Sequence, residues 1–185
     1  MMLCGGPLKV ITVTRHVPLK KVSEILTQEK IIEAVRLTDS ALKKYFGIKR
    51  PRIGVCALNP HCGEGGEICR EEQDIIIPAI RKIKRFASGA LGPISGDIIF
   101  YMAVQGKFDA VISMYHDQGL GPMKMLAFEK GVNVTLGLPF IRTSPDHGTA
   151  YDIACKGIAD PSSMKEAIKL AVRMCTCSPD RRPGL

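Results

Sequence analysis

The sequence has no tryptophan, and its aromatics are four tyrosines and six phenylalanines. None of these is interleaved with a basic run, so the stacking platform of a single-strand binder is missing. The net charge of +8 does not restore a nucleic-acid reading. Its cations are spread over Lys20-Lys21, Lys43-Lys44, Lys49-Arg50 and the stretch Arg81 to Arg85, mostly on expected helix surfaces. This pattern reads as a solvated basic surface that attracts small anions, with no nucleic-acid partner. No apolar run approaches the roughly 18 residues a membrane span requires, so no membrane partner is expected. Met1-Met2-Leu3-Cys4-Gly5-Gly6 offers no basic segment before a long apolar one, as a secretory signal would, and a cytoplasmic location is the expectation. The seven cysteines are odd in number, and no CxxC pair recurs at zinc-site spacing, so they read as reduced thiols. No segment repeats at a fixed period, and no GxGxxG fingerprint is present.

What is present is an alternation. Lys9 to Thr14, Arg52 to Leu58, Asp109 to Met114 and Val132 to Leu136 are aliphatic or β-branched runs of strand length. Between them lie helical patterns. Thr27 is placed to cap a helix whose stripe is Ile31, Ile32, Val35, Leu42 and Phe46, and Gly47 is placed to end it. Glu71 to Phe86 reads as a helix with Pro78 as a possible kink. Asp97 to Val104 is another, entered from a Gly-Pro-Ile-Ser-Gly turn. Gly121 to Phe128 is a short one, and Asp152 to Ala154 a helical turn. Asp160 with Pro161 opens a last helix, 161–174. The tail, 175–185, reads as disordered. The expected fold is α/β, a largely parallel sheet flanked by helices.

Histidine is scarce, with four in the chain, and three share a setting. His16 follows the first strand run, His61 the second and His116 the third. Open α/β sheets collect ligand sites at the carboxyl ends of their strands. Three imidazoles on one rim suit Zn²⁺ or another divalent ion. Taken singly, each could equally be a surface or capping histidine. Downstream, Lys124, Asn133 and Arg142 would suit an anionic substrate, or be ordinary surface residues. Gly63-Glu64-Gly65-Gly66 can bring backbone close to a ligand or simply turn the chain. His147, between Asp146 and Gly148-Thr149, could stack on a base or cap a turn.

Three segments resemble the 4-hydroxythreonine-4-phosphate dehydrogenase family. They are Asn59-Pro60-His61-Cys62-Gly63-Glu64-Gly65-Gly66, Tyr115-His116-Asp117-Gln118-Gly119 and the long run Gly137 to Ala150. Thr14-Arg15-His16-Val17-Pro18-Leu19 is similar as well, and the likeness extends from about residue 7 to residue 174. The resemblance implies one domain of an isocitrate/isopropylmalate dehydrogenase-like two-domain fold. It also implies NAD-dependent oxidation, with decarboxylation, of 4-phosphohydroxy-L-threonine in pyridoxal phosphate biosynthesis. It carries a divalent metal (Zn, Mg or Co) onto His16, His61 and His116. Substrate contacts fall on Lys124, Asn133, Arg142 and Asp97, with Asp97 reaching into a partner subunit of a homodimer. Cofactor contacts fall on Asp146, His147, Gly148 and Thr149. Family chains are nearly twice as long. The resemblance therefore implies a chain lacking the first domain, with 1–160 as the metal-binding and dimerisation domain and 161–174 as a helix that would return to the absent one. The stretch Ala154-Cys155-Lys156-Gly157 departs from the family pattern near the cofactor side. Two alternatives stand beside this expectation. One is a non-catalytic, metal-binding dimeric remnant. The other is the same chemistry on a phospho-threonate or phospho-erythronate sugar acid.

Overall fold

Each aliphatic run becomes a strand, and the segments between them fold back as helices. The computed structural model describes residues 1–146 and 148–177. In chain order the strands are β1 (Met2–Gly5), β2 (Leu8–Thr12), β3 (Ile53–Cys56), β4 (Ala90–Ile94), β5 (Ala110–Ser113), β6 (Val132–Val134) and β7 (Thr143–Pro145). The helices are α1 (Val22–Ile25), α2 (Gln28–Phe46), α3 (Ile77–Ile83), α4 (Gly96–Val104), α5 (His116–Ala127) and α6 (Ser162–Cys177).

The strands form one sheet in the order β4-β3-β5-β2-β1-β6-β7. The first four are mutually parallel, and β1, β6 and β7 extend the sheet in antiparallel fashion. The expected α/β fold with a flanked parallel sheet is what the chain adopts.

Side chains alternate across the sheet and build a core on each face. Ile11, Ile53, Val55, Ala110 and Ile112 pack with Ile31, Val35 and Leu42 of α2 and Ile80 and Ile83 of α3. Val10, Cys56 and Val111 point the other way, to Ile99 and Phe100 of α4 and Leu120 and Met123 of α5. Neighbouring strand residues must face opposite sides of a sheet, so both faces of a doubly covered sheet are apolar.

The capping signals in α2 hold. Thr27 accepts the Lys30 N–H through Oγ1 at 3.3 Å. Gly47 takes a left-handed conformation (φ 69°, ψ 16°), and the Ile48 N–H donates to Leu42 O at 3.0 Å. The Gly47 N–H is directed to the same carbonyl, so the left-handed glycine turns the chain back and fills an acceptor left open at the helix end.

Some readings shift. The segment expected as a turn before Asp97 is strand β4, despite Pro93. It lies at one edge of the sheet, where a proline's missing N–H costs no ladder bond. Pro145 sits at the opposite edge, in β7. The helix expected from Glu71 begins with a π-helical turn, Glu72–Ile76, before α3. Pro78 has no N–H to give the carbonyl four residues back, and Asp74 O instead accepts Gln28 Nε2 at 3.2 Å. The helix expected at Gly121 begins five residues earlier, at His116.

The last helix is found and runs three residues past the expected end. Asp160 Oδ1 accepts the Ser162 N–H at 2.9 Å and the Ser162 hydroxyl at 2.7 Å, which satisfies donors at the helix start. The helix packs on β6, β7 and α2 of this same chain, burying Ser163, Ala167 and Met174. Residues 178–185 of the expected tail lie outside the described residues. Among the described residues, no helix is long and apolar enough to cross a membrane.

At the end of the sheet away from the histidines, Asp109 staples the start of β3 to the start of β5. Its Oδ2 accepts the Arg52 backbone N–H at 2.8 Å and Nε at 3.1 Å, while Oδ1 accepts Nη2 at 2.8 Å. Burial alone would raise the Asp109 pKa, but the Arg52 hydrogen bonds and charge outweigh it and hold the carboxyl below its ordinary value. A depressed acid stabilises the fold above its unfolded pKa, about 4, and loses that contribution as pH falls through the folded value. Asp109→Asn is therefore expected to lower the urea midpoint at neutral pH. The gap from wild type should close below about pH 4. A gap that persists unchanged at low pH would count against the charge as its source.

Candidate metal and anion site

Four parallel strands deliver chemistry to one rim. β2 leads to His16, β3 to His61, β4 to Asp97 and β5 to His116. The chain is fixed where it leaves the sheet. The Thr14 hydroxyl donates to Met114 O at 2.8 Å, tying the exits of β2 and β5 together. Gln118 joins β5 to β3, its Oε1 accepting the Met114 N–H at 2.7 Å and its Nε2 donating to Ala57 O at 2.8 Å.

His16 and His116 are neighbours, with ring centroids 5.5 Å apart and planes tilted by 48°. Two imidazoles bound tetrahedrally to one Zn²⁺ at about 2.0–2.1 Å would have centroids about 5 Å apart. The ring spacing of the pair is therefore close to that of two imidazoles on a shared ion. His116 Nδ1 lies 2.6 Å from Asp117 Oδ1. That contact orients the ring and leaves Nε2 as the free donor, as a ligand histidine is usually held.

His61 stands on the same rim across a cleft of about 380 Å³, whose wall includes Asn59, Ser95, Asp97, Tyr115 and Gln118. Its Nδ1 is 2.8 Å from Glu64 Oε1. The Glu64 hydrogen bond and charge, with a smaller contribution from Asp97, raise the His61 pKa above its ordinary value. The three histidines thus share a rim without closing on one point. Among the described residues, no three His, Cys, Asp or Glu side chains are grouped to hold an ion. Burial pushes the Cys56 thiol up, and burial followed by Glu72 and Asp97 does the same at Cys62.

The loop bearing His61 is unusual. His61, Cys62, Gly63, Glu64 and Gly65 all have left-handed backbone angles, with φ between 45° and 72°. Left-handed helical geometry costs roughly 1–2 kcal/mol for each non-glycine residue. Such a turn persists only where its surroundings hold it.

The anion-binding residues are dispersed. Arg142 lies beside the rim, at the start of the β7 hairpin arm, where Nη1 donates to Thr135 Oγ1 at 2.9 Å. Asn133 sits within β6 and donates to Met1 Sδ at 3.1 Å. Lys124 lies eight residues along α5 from His116, about 12 Å at helical rise. There it faces Asp146 Oδ2 at 3.5 Å and the Phe128 ring at 5.7 Å. Lys124 and Arg142 thus stand against different partners, Asp146 and Thr135, because α5 begins at the rim and runs away from it.

Of the expected cofactor residues, Asp146 and Gly148 line a second cleft of about 500 Å³ with Phe128, Ala150, Ile153 and Ser163. Thr149 is exposed nearby, and His147 lies outside the described residues. Sequence reasoning did not single out Glu72, Gln118 or Glu64. Gln118 and Glu64 were within recognised motifs, but no local pattern marks a buried Glu such as Glu72 as distinct from an acidic residue in a helix's first turn.

A family model described as pyridoxal phosphate biosynthetic protein PdxA matches residues 1–171. The 4-hydroxythreonine-4-phosphate dehydrogenase of Ruegeria sp. (strain TM1040) is 52% identical over 174 residues, covering 94% of this chain and 53% of that one. That of Geobacter metallireducens is 53% identical over 174 residues, covering 94% and 51%. The crystal structure of the Klebsiella pneumoniae 4-hydroxythreonine-4-phosphate dehydrogenase is similar with a TM-score of 0.85 at 41% identity, over 94% of this chain and 53% of that chain. A terephthalate 1,2-cis-dihydrodioldehydrogenase from Burkholderia xenovorans LB400 is similar with a TM-score of 0.76 at 32% identity, over 93% and 54%. The chain spans about half the length of the relatives it matches.

Proposed function

The chain belongs to the PdxA family of pyridoxal phosphate biosynthetic proteins, and from that premise we propose that it carries the metal- and phosphate-binding end of an NAD-dependent dehydrogenase acting on 4-phosphohydroxy-L-threonine. The observation that carries the reading is the His16–His116 pair, 5.5 Å apart at the carboxyl rim of a parallel sheet, with His61 and Asp97 leaving neighbouring strands.

In this reading His16, His61 and His116 hold the divalent cation. The chemistry it supplies is polarisation of the substrate's secondary hydroxyl oxygen, which favours loss of the proton. Bound NAD would supply the hydride acceptor, and loss of CO₂ from the resulting β-keto acid would need no further oxidant. Arg142 and Lys124 bind the substrate's anionic groups. Lys124 can exchange its long, half-exposed contact with Asp146 for a stronger bond to phosphate. Asn133 serves the same substrate end. Asp146 and Gly148, which line the second cleft, would hold the cofactor together with His147 and Thr149.

Asp97 acts at the interface of a homodimer. Ile98, Tyr101 and Val104, which follow it on α4, are exposed, and apolar surface beside a site suits an interface. A monomer mass by light scattering would contradict the dimer.

The test is calorimetric and then catalytic. Titrating 4-phosphohydroxy-L-threonine into the chain with Co²⁺ or Zn²⁺ should give binding that needs the metal and is weakened by Arg142→Ala. Substrate that fails to bind the metal-loaded chain would overturn the proposal.

A second reading is a metal- and phosphate-binding domain that turns nothing over. It is favoured by the placement of Lys124, which faces Asp146 at 3.5 Å about 12 Å along α5 from His116. Reduction of NAD by the metal-loaded chain decides between the two. A panel including phospho-threonate and phospho-erythronate decides among substrates.

A further inference from the structure

Glu72 is a buried acidic residue, and nothing in the proposed chemistry uses it. We propose that Glu72 is the positioning residue for His61: its carboxylate grips the left-handed loop at its root and fixes where the imidazole stands on the rim. The proposal rests on the reading of His61 as a metal ligand.

Glu72 is 1% exposed, and the bonds it makes are to the loop. Oε1 accepts the backbone N–H groups of Leu58 and Asn59, both at 2.8 Å. Oε2 accepts Asn59 Nδ2 at 3.0 Å. Those two amides are where the chain leaves β3 and begins to turn, two and three residues before His61. A carboxylate taken out of water must have its lone pairs filled. Here loop N–H groups fill them, so the cost of burying the charge is coupled to the loop's geometry.

Two further features fit this coupling. A Cβ on Gly63 would lie 2.8 Å from Glu72 Oε2 and 2.9 Å from Cys69 O, so the loop and the carboxylate are packed to fit each other. Glu72 also opens the π-helical turn Glu72–Ile76, a wider turn of a kind often found where a helix serves a site. The five left-handed residues 61–65 give the loop a shape that local sequence does not favour. An outside clamp is what such a shape needs.

The test uses the full chain with Co²⁺ as the probe, in Glu72→Ala, Glu72→Gln, His61→Ala and Ile83→Ala. Ile83 is a buried core residue of α3 and serves as a destabilised control outside the loop. Circular dichroism and urea unfolding establish which variants fold. Glu72→Ala is expected to lose hydrogen-exchange protection at the Leu58 and Asn59 amides in the metal-free protein. It should also weaken Co²⁺ binding by about 10-fold, the low end of what losing a ligand's own hydrogen-bond partner costs, because Glu72 acts on His61 through the loop backbone. Glu72→Gln keeps an acceptor oxygen and the shape, and should recover most of the affinity.

Unchanged Co²⁺ affinity in folded Glu72→Ala overturns the proposal, as does an equal loss in Ile83→Ala at matched stability. If Glu72→Ala does not fold, Asn59→Ala, which removes one of the carboxylate's partners, takes its place. A partial loss of affinity there supports the clamp, and no loss overturns it. If His61→Ala leaves Co²⁺ affinity unchanged, the ligand reading fails and takes this proposal with it. If His61→Ala weakens binding and Glu72→Ala does not, this proposal alone fails.

Discussion

Replacing His116 with alanine is expected to weaken divalent-cation binding by about a hundredfold, with Asp117→Asn weakening it by about tenfold. The two effects follow from one geometry. His116 is the first residue of α5 and His16 follows β2, and their rings come within 5.5 Å because β2 and β5 are adjacent and parallel. Asp117 holds the His116 Nδ1 at 2.6 Å, which directs the other nitrogen outward. Loss of the ring removes a ligand, whereas loss of the Asp117 charge only loosens its orientation, so the losses should be graded. Competition of Co²⁺ with a chelator of known affinity would measure both. If His116 is only a capping residue, the alanine variant will lose fold stability and keep its cation affinity. That outcome would remove the metal reading from this rim.

The sequence made the rim visible through strand ends. A run such as Asp109 to Met114 declares a strand by composition, and the residue after it is then at a carboxyl end. The same logic placed His16 and His61. It could not say how far each ring stands from the next, because that depends on strand order, and β5 lies between β3 and β2 only through crossovers. It also grouped Lys124 with Arg142 by proximity in sequence. A helix starting at His116 rather than Gly121 moves Lys124 about two turns from the rim and sets it against Asp146. The residues hidden from sequence are those that hold the site. Glu72 acts through hydrogen bonds to residues 13 and 14 positions away, and the left-handed turn from His61 to Gly65 uses three non-glycine residues, His61, Cys62 and Glu64, that no turn pattern would assign to such angles.

Elements were misread where breakers sit in unexpected places. Gly92 and Pro93 suggest a turn, yet an edge strand tolerates them. Gly119, Gly121 and Pro122 argue against a helix at His116, since glycine and proline are the poorest helix formers. The helix forms there because Gly119 is needed for packing, and tertiary contact outweighs propensity. The capped helix α2 was legible because Thr27 and Gly47 act on their own immediate backbone.

That packing sets the other large effect. Gly119→Val is expected to destabilise the protein by about 3 kcal/mol, at the upper end of what overpacking a core costs. A Cβ at Gly119 would collide with Ser113 Oγ and come within 2.6 Å of Val10 Cγ1. Neither neighbour is free to retreat. Ser113 is fully buried in β5 and its hydroxyl donates to Ile11 O at 3.2 Å. Val10 is 1% exposed in β2. The helix must therefore lift, and it carries His116 and Gln118 with it. Gln118 bridges Met114 N and Ala57 O, so lifting also loosens the exits of β5 and β3. The loss should appear twice, as a lower urea midpoint and as weaker Co²⁺ binding in the folded fraction. The smaller Gly119→Ala change should be partly rescued by Ser113→Ala, which removes one colliding atom, and a double-mutant cycle would show this as favourable coupling. A neutral Gly119→Val variant would show that α5 can stand away from the sheet, and that close packing is not what places His116 on the rim.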